Sequence, residues 1–273
     1  TGVNYYIGEK LNTVSANKEV ILSAGSIGSP HLLQVSGIGE VNKLKNLGID
    51  ITNENEVVKN YTNVQKEINK RDGNSIRFLK THAALNDING YRFTDLKNTL
   101  GAIYIVRDPR KIILSYANHS QITLSESLKR LIELRTIGGL NDNQNQSVTH
   151  VGSWSSNYYS WKEFNKIGKY LLIKYEDLIS KPEDNLKLIL EFISKITNTK
   201  LEVDKKKLNN VLSTTSFEYL QKLEKENNFP EAIKTKDGNY ATFFKYGKKN
   251  TGKNLPEEIT KELEDNLSSE MKE

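Results

Sequence analysis

The run Ala102-Ile103-Tyr104-Ile105-Val106 is apolar at every position, the pattern of a strand covered on both faces in a parallel α/β sheet. It breaks off into Arg107-Asp108-Pro109-Arg110. Asp108 suits a helix cap and Pro109 the first turn, and Ile112, Ile113 and Tyr116 then recur at helical spacing. The backbone N–H groups after Arg107 should therefore open towards one point. Arg107 at the strand end and Ser115, about two turns into the helix, can both reach a phosphate placed there. A surface turn with incidental charges is the competing reading.

The alternation of strand and helix patterns runs on either side of this corner. "SIRFLKTH" reads as a strand ending at Thr81-His82, and "YLLIKYEDL" as another. Thr81, His82, Arg107 and Tyr175 would then all lie at the carboxyl ends of strands, where ligands gather in a parallel sheet. Leu124, Leu128, Ile132 and Leu134 fall on one helical face. Ser180 and Glu183 form a capping box around Pro182, ahead of the stripe Leu186, Ile189, Leu190, Ile193 and Ile196. Nearer the start, Val20-Ile21-Leu22 reads as a buried strand and Ser29-Pro30 as a helix start. The final amphipathic segment stops without a cap or a following strand, the pattern of a truncated chain.

Composition narrows the function. With 273 residues and 36% hydrophobic positions, the chain can form one large α/β domain or two smaller ones. It has no run of about 18 apolar residues and no charged-then-apolar leader, so neither a membrane span nor a signal peptide is expected. The lack of cysteine excludes disulfides and thiolate metal sites and agrees with a cytoplasmic location. Four scattered His residues give no expectation of a metal site. A net charge of +5 favours an anionic ligand, although lysines on polar helix faces also serve solubility. No stripe alternates Lys/Arg with aromatics and no nucleic-acid motif appears, so no nucleic-acid partner is expected.

From about residue 63 to the end, the sequence resembles the sulfotransferases that use 3'-phosphoadenosine 5'-phosphosulfate (PAPS). "IVRDPRKIILSYANH" is similar to the family's 3'-phosphate-binding segment, which implies Arg107 and Ser115 as phosphate ligands. "FLKTHAAL" resembles the Lys-Thr-His segment, implying His82 as the base and Lys80 as its cationic neighbour. "LLIKYEDL" implies Tyr175 against the adenine, and "STTSFEYLQKLE" implies Thr215 and Phe217 on the adenine side. "FFKYGKKNTGKN" resembles a degraded C-terminal loop in which Lys245 takes the usual Arg position, Gly247 is kept and Gly252 stands where a Trp is common. A lysine there keeps a point charge on the phosphate and loses the two-pronged geometry. "GSWSSNYYSWKEF" implies Trp154 and Trp161 as wall residues. Each motif is short; their joint order is specific. The resemblance implies a P-loop-kinase-like α/β fold, a parallel sheet flanked by helices, and sulfuryl transfer to a hydroxyl of a small molecule or glycan.

The front differs. "GSIGSPHLLQVSGIG", Gly25 to Gly39, is similar to the second signature of the glucose-methanol-choline (GMC) flavin oxidoreductases, and the likeness fades near residue 62. The dinucleotide fingerprint and the C-terminal catalytic His segment of that family are missing, so FAD is not expected. The expected organisation is a GMC-like fragment over 1–62 joined to a sulfotransferase domain over 63–273 that lacks its usual N-terminal strand-loop-helix.

That gap bears on the chemistry. Transfer places charge on the departing nucleotide while the acceptor hydroxyl loses a proton, which an imidazole such as His82 can take near neutral pH. A core histidine satisfied by the backbone is the other reading of His82. Sulfotransferases of this kind open with a Lys-Ser-Gly-Thr-Thr type loop whose Lys and amides hold the 5'-phosphosulfate. The sequence has no such loop; "VILSAGSIGSPHLLQV" has the right shape and no lysine. Two readings follow: a PAPS-dependent sulfotransferase with activity weakened or lost, or an incomplete fusion that retains nucleotide binding.

Overall fold

The chain is described by a computed structural model over residues 2–7, 10–15, 53–71, 76–137, 148–227, 235, 238–247, 252, 255–267 and 270–272. The strand expected at Val20 to Leu22 and the helix expected after Ser29 lie outside the described residues. At the amino end, strands β1 (Gly2–Ile7) and β2 (Lys10–Ser15) form an antiparallel hairpin with Gly2 opposite Ser15 and Ile7 opposite Lys10. Helix α1 (Glu54–Arg71) follows. Asn53 Oδ1 accepts the Asn55 N–H at 3.1 Å, and Glu54 and Glu56 in the first turn suit the positive helix end.

The expected junction at residues 62 and 63 falls inside α1. Val58 is buried, the Tyr61 ring meets Phe93 edge-on at 5.2 Å, and Gln65 Nε2 donates to the Phe93 carbonyl at 2.7 Å. The helix thus packs on the small hairpin of β3 (Asp87–Ile88) and β4 (Tyr91–Arg92), with contacts from both sides of that junction.

Strands β5 (Ala102–Val106) and β8 (Tyr170–Lys174) pair in parallel, from Ala102 opposite Tyr170 to Val106 opposite Lys174. Both run straight into helices, α2 (Pro109–Ser120) after β5 and α5 (Tyr175–Ser180) after β8. The mixed α/β architecture with a parallel pair is the one expected. Coverage on both faces is not: Ile105 is 53% exposed. The stretch 76–82 is not a strand either. Its apolar residues Ile76, Phe78 and Leu79 are exposed and break the alternation a strand needs, and no described strand pairs with it. Instead Thr81 Oγ1 accepts the Ala83 N–H at 3.0 Å and the His150 carbonyl accepts the Ala84 N–H at 2.8 Å.

Helix α3 (Leu124–Ile132) opens on a Thr123–Glu126 capping box and ends at Ile132, so Leu134 leaves the expected stripe and is 77% exposed. Its buried Ser127 hydroxyl donates to the Ile113 carbonyl at 2.9 Å, which ties α3 to α2. After β6 (Thr136–Ile137) and β7 (Thr149–His150), helix α4 (Trp154–Lys162) and a 3-10 turn lead into β8. Helix α6 (Pro182–Thr197) begins one residue later than the expected box requires: Lys181 is its cap, Ser180 belongs to the last turn of α5, and Glu183 pairs with Lys187 at 2.6 Å. Helices α7 (Lys205–Thr214), α8 (Phe217–Asn227) and α9 (Glu257–Leu267) complete the described order. The main core joins Ile113, Leu128 and Leu131 to Leu255, Ile259, Leu263 and Leu267, so the carboxyl-terminal helix backs α2. No helix among the described residues is long and apolar enough to cross a membrane.

Candidate active site

Asp108 caps α2 by accepting the Arg110 N–H at 3.0 Å, and Pro109 occupies the first turn. The same carboxylate holds the Arg110 guanidinium at 2.8 Å. Burial opposes ionisation of Asp108, but its hydrogen bonds from Arg110 outweigh that and keep the carboxyl below its usual range. Glu176, at the start of α5, takes Lys111 Nζ at 3.2 Å. The two carboxylates of the corner are therefore engaged with other cations. Among the described residues no carboxylate lies within ion-pair distance of Arg107.

Arg107 stacks on the Tyr175 ring at 4.6 Å and directs Nη1 to the Ser115 hydroxyl at a long 3.4 Å. Its Nε is buried with no hydrogen-bond partner. A buried guanidinium donor left open is costly, so the corner is built for a further acceptor. Three residues past Ser115, on the same face of α2, Asn118 Oδ1 accepts Lys245 Nζ at 3.1 Å and Asn118 Nδ2 donates to the Thr242 carbonyl at 2.9 Å. The loop 240–247 is held from its other side by α8, where Gln221 Nε2 donates to the Phe244 carbonyl at 2.8 Å and Glu224 accepts the Phe243 and Phe244 N–H groups.

Gly247 explains its own presence. Its φ is +50°, and a Cβ there would lie 2.6 Å from the Phe217 ring. Gly252 has a φ of +73°, and a Cβ there would lie 3.0 Å from Arg110 Cβ, a tight contact at a backbone conformation that other residues rarely adopt. Thr215 stands in the turn between α7 and α8, exposed, its hydroxyl donating to the Val211 carbonyl at 2.7 Å. The structure thus brings Arg107, Ser115 and Tyr175 into direct contact, ties Lys245 to the same helix face, and packs Phe217 on Gly247 with Thr215 in the adjoining turn.

Lys80 and His82 are both exposed and lie on the irregular segment 76–82. What fixes that segment is Asn157, which the sequence reading did not single out. Its Nδ2 donates to the His82 carbonyl at 3.1 Å and the Val151 carbonyl at 2.8 Å, while its Oδ1 accepts the Tyr104 hydroxyl at 2.9 Å. Burial pushes the Tyr104 phenol well above its ordinary range, so it stays a neutral donor. Trp161, expected as a wall residue, is instead buried and donates Nε1 to the Ala83 carbonyl at 2.8 Å. Trp154 stacks on Tyr158 at 6.2 Å beside the main core. Neither side chain carried a sequence signal for this supporting role; an Asn or Trp inside a helix pattern reads the same whether or not it reaches across to a loop.

A parallel strand pair whose carboxyl ends present Arg107 and Tyr175 together, with Ser115 on the helix that follows, marks the chain as an α/β protein. The sulfotransferase domain family matches residues 17–273, and the chain belongs to that family. The match begins upstream of residue 62. Curated relatives are similar over a short stretch: the GMC oxidoreductase family protein Mala s 12 of Malassezia sympodialis is 57% identical over 53 residues, 19% of this chain and 9% of that protein. The oxygen-dependent choline dehydrogenase of Sinorhizobium fredii is 53% identical over 51 residues, again 19% and 9%. The chain thus spans about 9% of the length of these relatives. Among solved structures, mouse sulfotransferase SULT7A1 complexed with PAP has a TM-score of 0.47 at 17% identity, covering 77% of this chain and 72% of that one. Retinol dehydratase in complex with androsterone and inactive cofactor PAP gives 0.49 at 16% identity, with 76% and 57% covered.

Proposed function

We propose that this chain binds the adenosine 3'-phosphate half of PAPS and is built for sulfuryl transfer to a hydroxyl of a small molecule or glycan. The observation that carries the reading is Arg107: stacked on Tyr175, beside Ser115, with a buried Nε unpartnered and no carboxylate within reach among the described residues. A 3'-phosphate supplies the missing acceptor. In this reading Arg107, Ser115 and Lys245 hold the phosphate, and Tyr175, Thr215, Phe217 and Gly247 line the adenosine. His82 takes the acceptor proton and Lys80 adds positive charge beside it. The donor supplies the activated sulfuryl group; the chain's part is to orient it and move the proton.

The reacting end is served less well than the phosphate end. Lys80 and His82 are exposed, and the sequence has no Lys-Ser-Gly-Thr-Thr type loop to cradle the 5'-phosphosulfate. Loss of one preorganised oxyanion donor commonly costs about 10²- to 10³-fold in rate. We therefore read this chain as one that retains nucleotide binding with transfer at or near background. The fragment boundary at residues 62 and 63 is read as a seam of sequence resemblance that α1 runs across. Calorimetric titration with adenosine 3',5'-bisphosphate, run beside a radiolabelled-sulfate transfer assay on alcohols and phenols, tests both parts. Binding without turnover is expected. No binding would overturn the assignment of the corner, and turnover abolished by His82→Ala would overturn the loss of activity.

A further inference from the structure

A second cluster of cations lies one residue along α2 from Ser115. The Tyr116 phenol oxygen accepts from Arg135 Nη1 at 3.0 Å and from Arg130 Nη1 at 3.3 Å. Both guanidinium groups also sit against the face of the same ring, their carbons 5.2 and 5.9 Å from its centre. Two positive groups converging on one neutral side chain repel each other unless a counter-charge is present. Among the described residues neither arginine has a carboxylate within ion-pair distance, although the charge of Glu126 acts on Arg130 from farther off. The nearby acids are occupied, Glu126 in the cap of α3, Glu133 by Lys129 at 3.8 Å and Glu54 facing His150 at 3.1 Å. Arg135 Nε is buried with no hydrogen-bond partner, the same condition found at Arg107. Each guanidinium carries five N–H donors, and one phenol oxygen cannot satisfy the pair.

The position of the cluster gives it a role. On one side, Tyr116 adjoins Ser115 of the phosphate corner. On the other, the Arg135 carbonyl accepts the Val151 and Gly152 N–H groups at 3.1 and 3.0 Å, and Asn157 joins the Val151 carbonyl to that of His82. Hydrogen bonds thus join the main chain of Arg135, through Val151 and Asn157, to the segment that carries the base.

We propose that Arg130, Arg135 and Tyr116 form an oxyanion subsite for the acceptor, so that the hydroxyl compound this chain takes carries a carboxylate or a sulfate ester. This rests on the proposed sulfotransferase reading and narrows its acceptor class. Two forks of fixed donors suit a planar carboxylate or a sulfate oxygen edge, and the tyrosine holds them in place.

The test is a calorimetric or saturation-transfer binding titration with and without saturating adenosine 3',5'-bisphosphate, comparing 4-hydroxybenzoate with 4-hydroxybenzyl alcohol and galactose 6-sulfate with galactose. In one pair or both, the anionic member should bind about tenfold tighter or better, the increment of a charge-assisted contact. The preference should vanish in Arg135→Gln and shrink in Arg130→Gln, while bisphosphate affinity stays unchanged. Tyr116→Phe, which keeps the ring, should weaken the preference without unfolding the chain. An equal affinity for charged and neutral members, or a preference that survives both Gln variants, overturns the proposal. So does inorganic sulfate binding at these arginines without competing with either anionic probe. Because the preference is read by direct binding, its loss is separable from a failure of the nucleotide reading, which would show only in the bisphosphate titration.

Discussion

The corner at Arg107 and the segment at Lys80 to His82 belong to the same proposed reaction and are built in different ways. Arg107 is placed by a strand end, a helix cap and an aromatic floor, each fixed by backbone hydrogen bonds or by the core behind α2. His82 rests on an irregular stretch whose main chain is held from across the fold by the Asn157 and Trp161 side chains and the His150 carbonyl. A ligand-holding group supported by regular structure costs little reorganisation on binding; one on an irregular stretch depends on the side chains that reach across to it. The difference predicts that nucleotide binding and placement of the base can be broken separately.

The largest effect is expected at the corner. Arg107→Ala should weaken adenosine 3',5'-bisphosphate by about 2 to 4 kcal/mol in calorimetric titration, since a buried phosphate loses its charge-assisted partner. Ser115→Ala should cost about 1 kcal/mol in the same measurement. On the other side, Asn157→Leu should lower unfolding stability by about 1 to 3 kcal/mol, because the Tyr104 hydroxyl and two carbonyls lose their partner. Its mark should be faster amide exchange at Ala83 and Ala84 with bisphosphate affinity kept; a parallel loss of affinity would mean that the two regions are one unit.

Acid sharpens the same contrast. Asp108 has its carboxyl held below the usual range, so its contribution is present above the ordinary Asp value and is lost as pH falls through the lower folded-state value. Bisphosphate binding and the start of α2 should therefore weaken on acidification below about pH 4, the ordinary Asp region. Asp108→Asn, which retains a capping oxygen, should remove that step at a neutral-pH cost below about 1 kcal/mol. The smallest effect belongs to His82→Ala: bisphosphate affinity unchanged within measurement, since the side chain is exposed and the tie to Asn157 runs through the His82 carbonyl, which alanine keeps.

What could be read in the sequence follows the same division. Asp108 and Pro109 announce a helix start through local chemistry, and the apolar runs at 102–106 and 170–174 announce strands, so the two strand ends with Arg107 and Tyr175 were legible. The segment 76–82 was misread because an apolar run only becomes a strand when a neighbour offers hydrogen bonds, and that depends on residues far away. The expected box at Ser180 failed by one position because the preceding helix claims Ser180 for its last turn. The hairpin of β1 and β2 was overlooked although Gly8-Glu9 separates two strand-length runs, a spacing suited to a two-residue turn. Asn157 and the Arg130–Arg135 pair left no periodic signal at all. Their meaning comes from what lies across from them.

Helix α1 has a practical consequence for anyone wishing to shorten the chain. The point where the two sequence resemblances meet looks like a natural place to cut. Cutting there would divide the helix between Thr62 and Asn63, removing the buried Val58, stripping the Tyr61 ring from Phe93 and leaving Gln65 on a frayed end. A shortened protein that keeps this helix whole has to begin ahead of Asn53, whose side chain starts it.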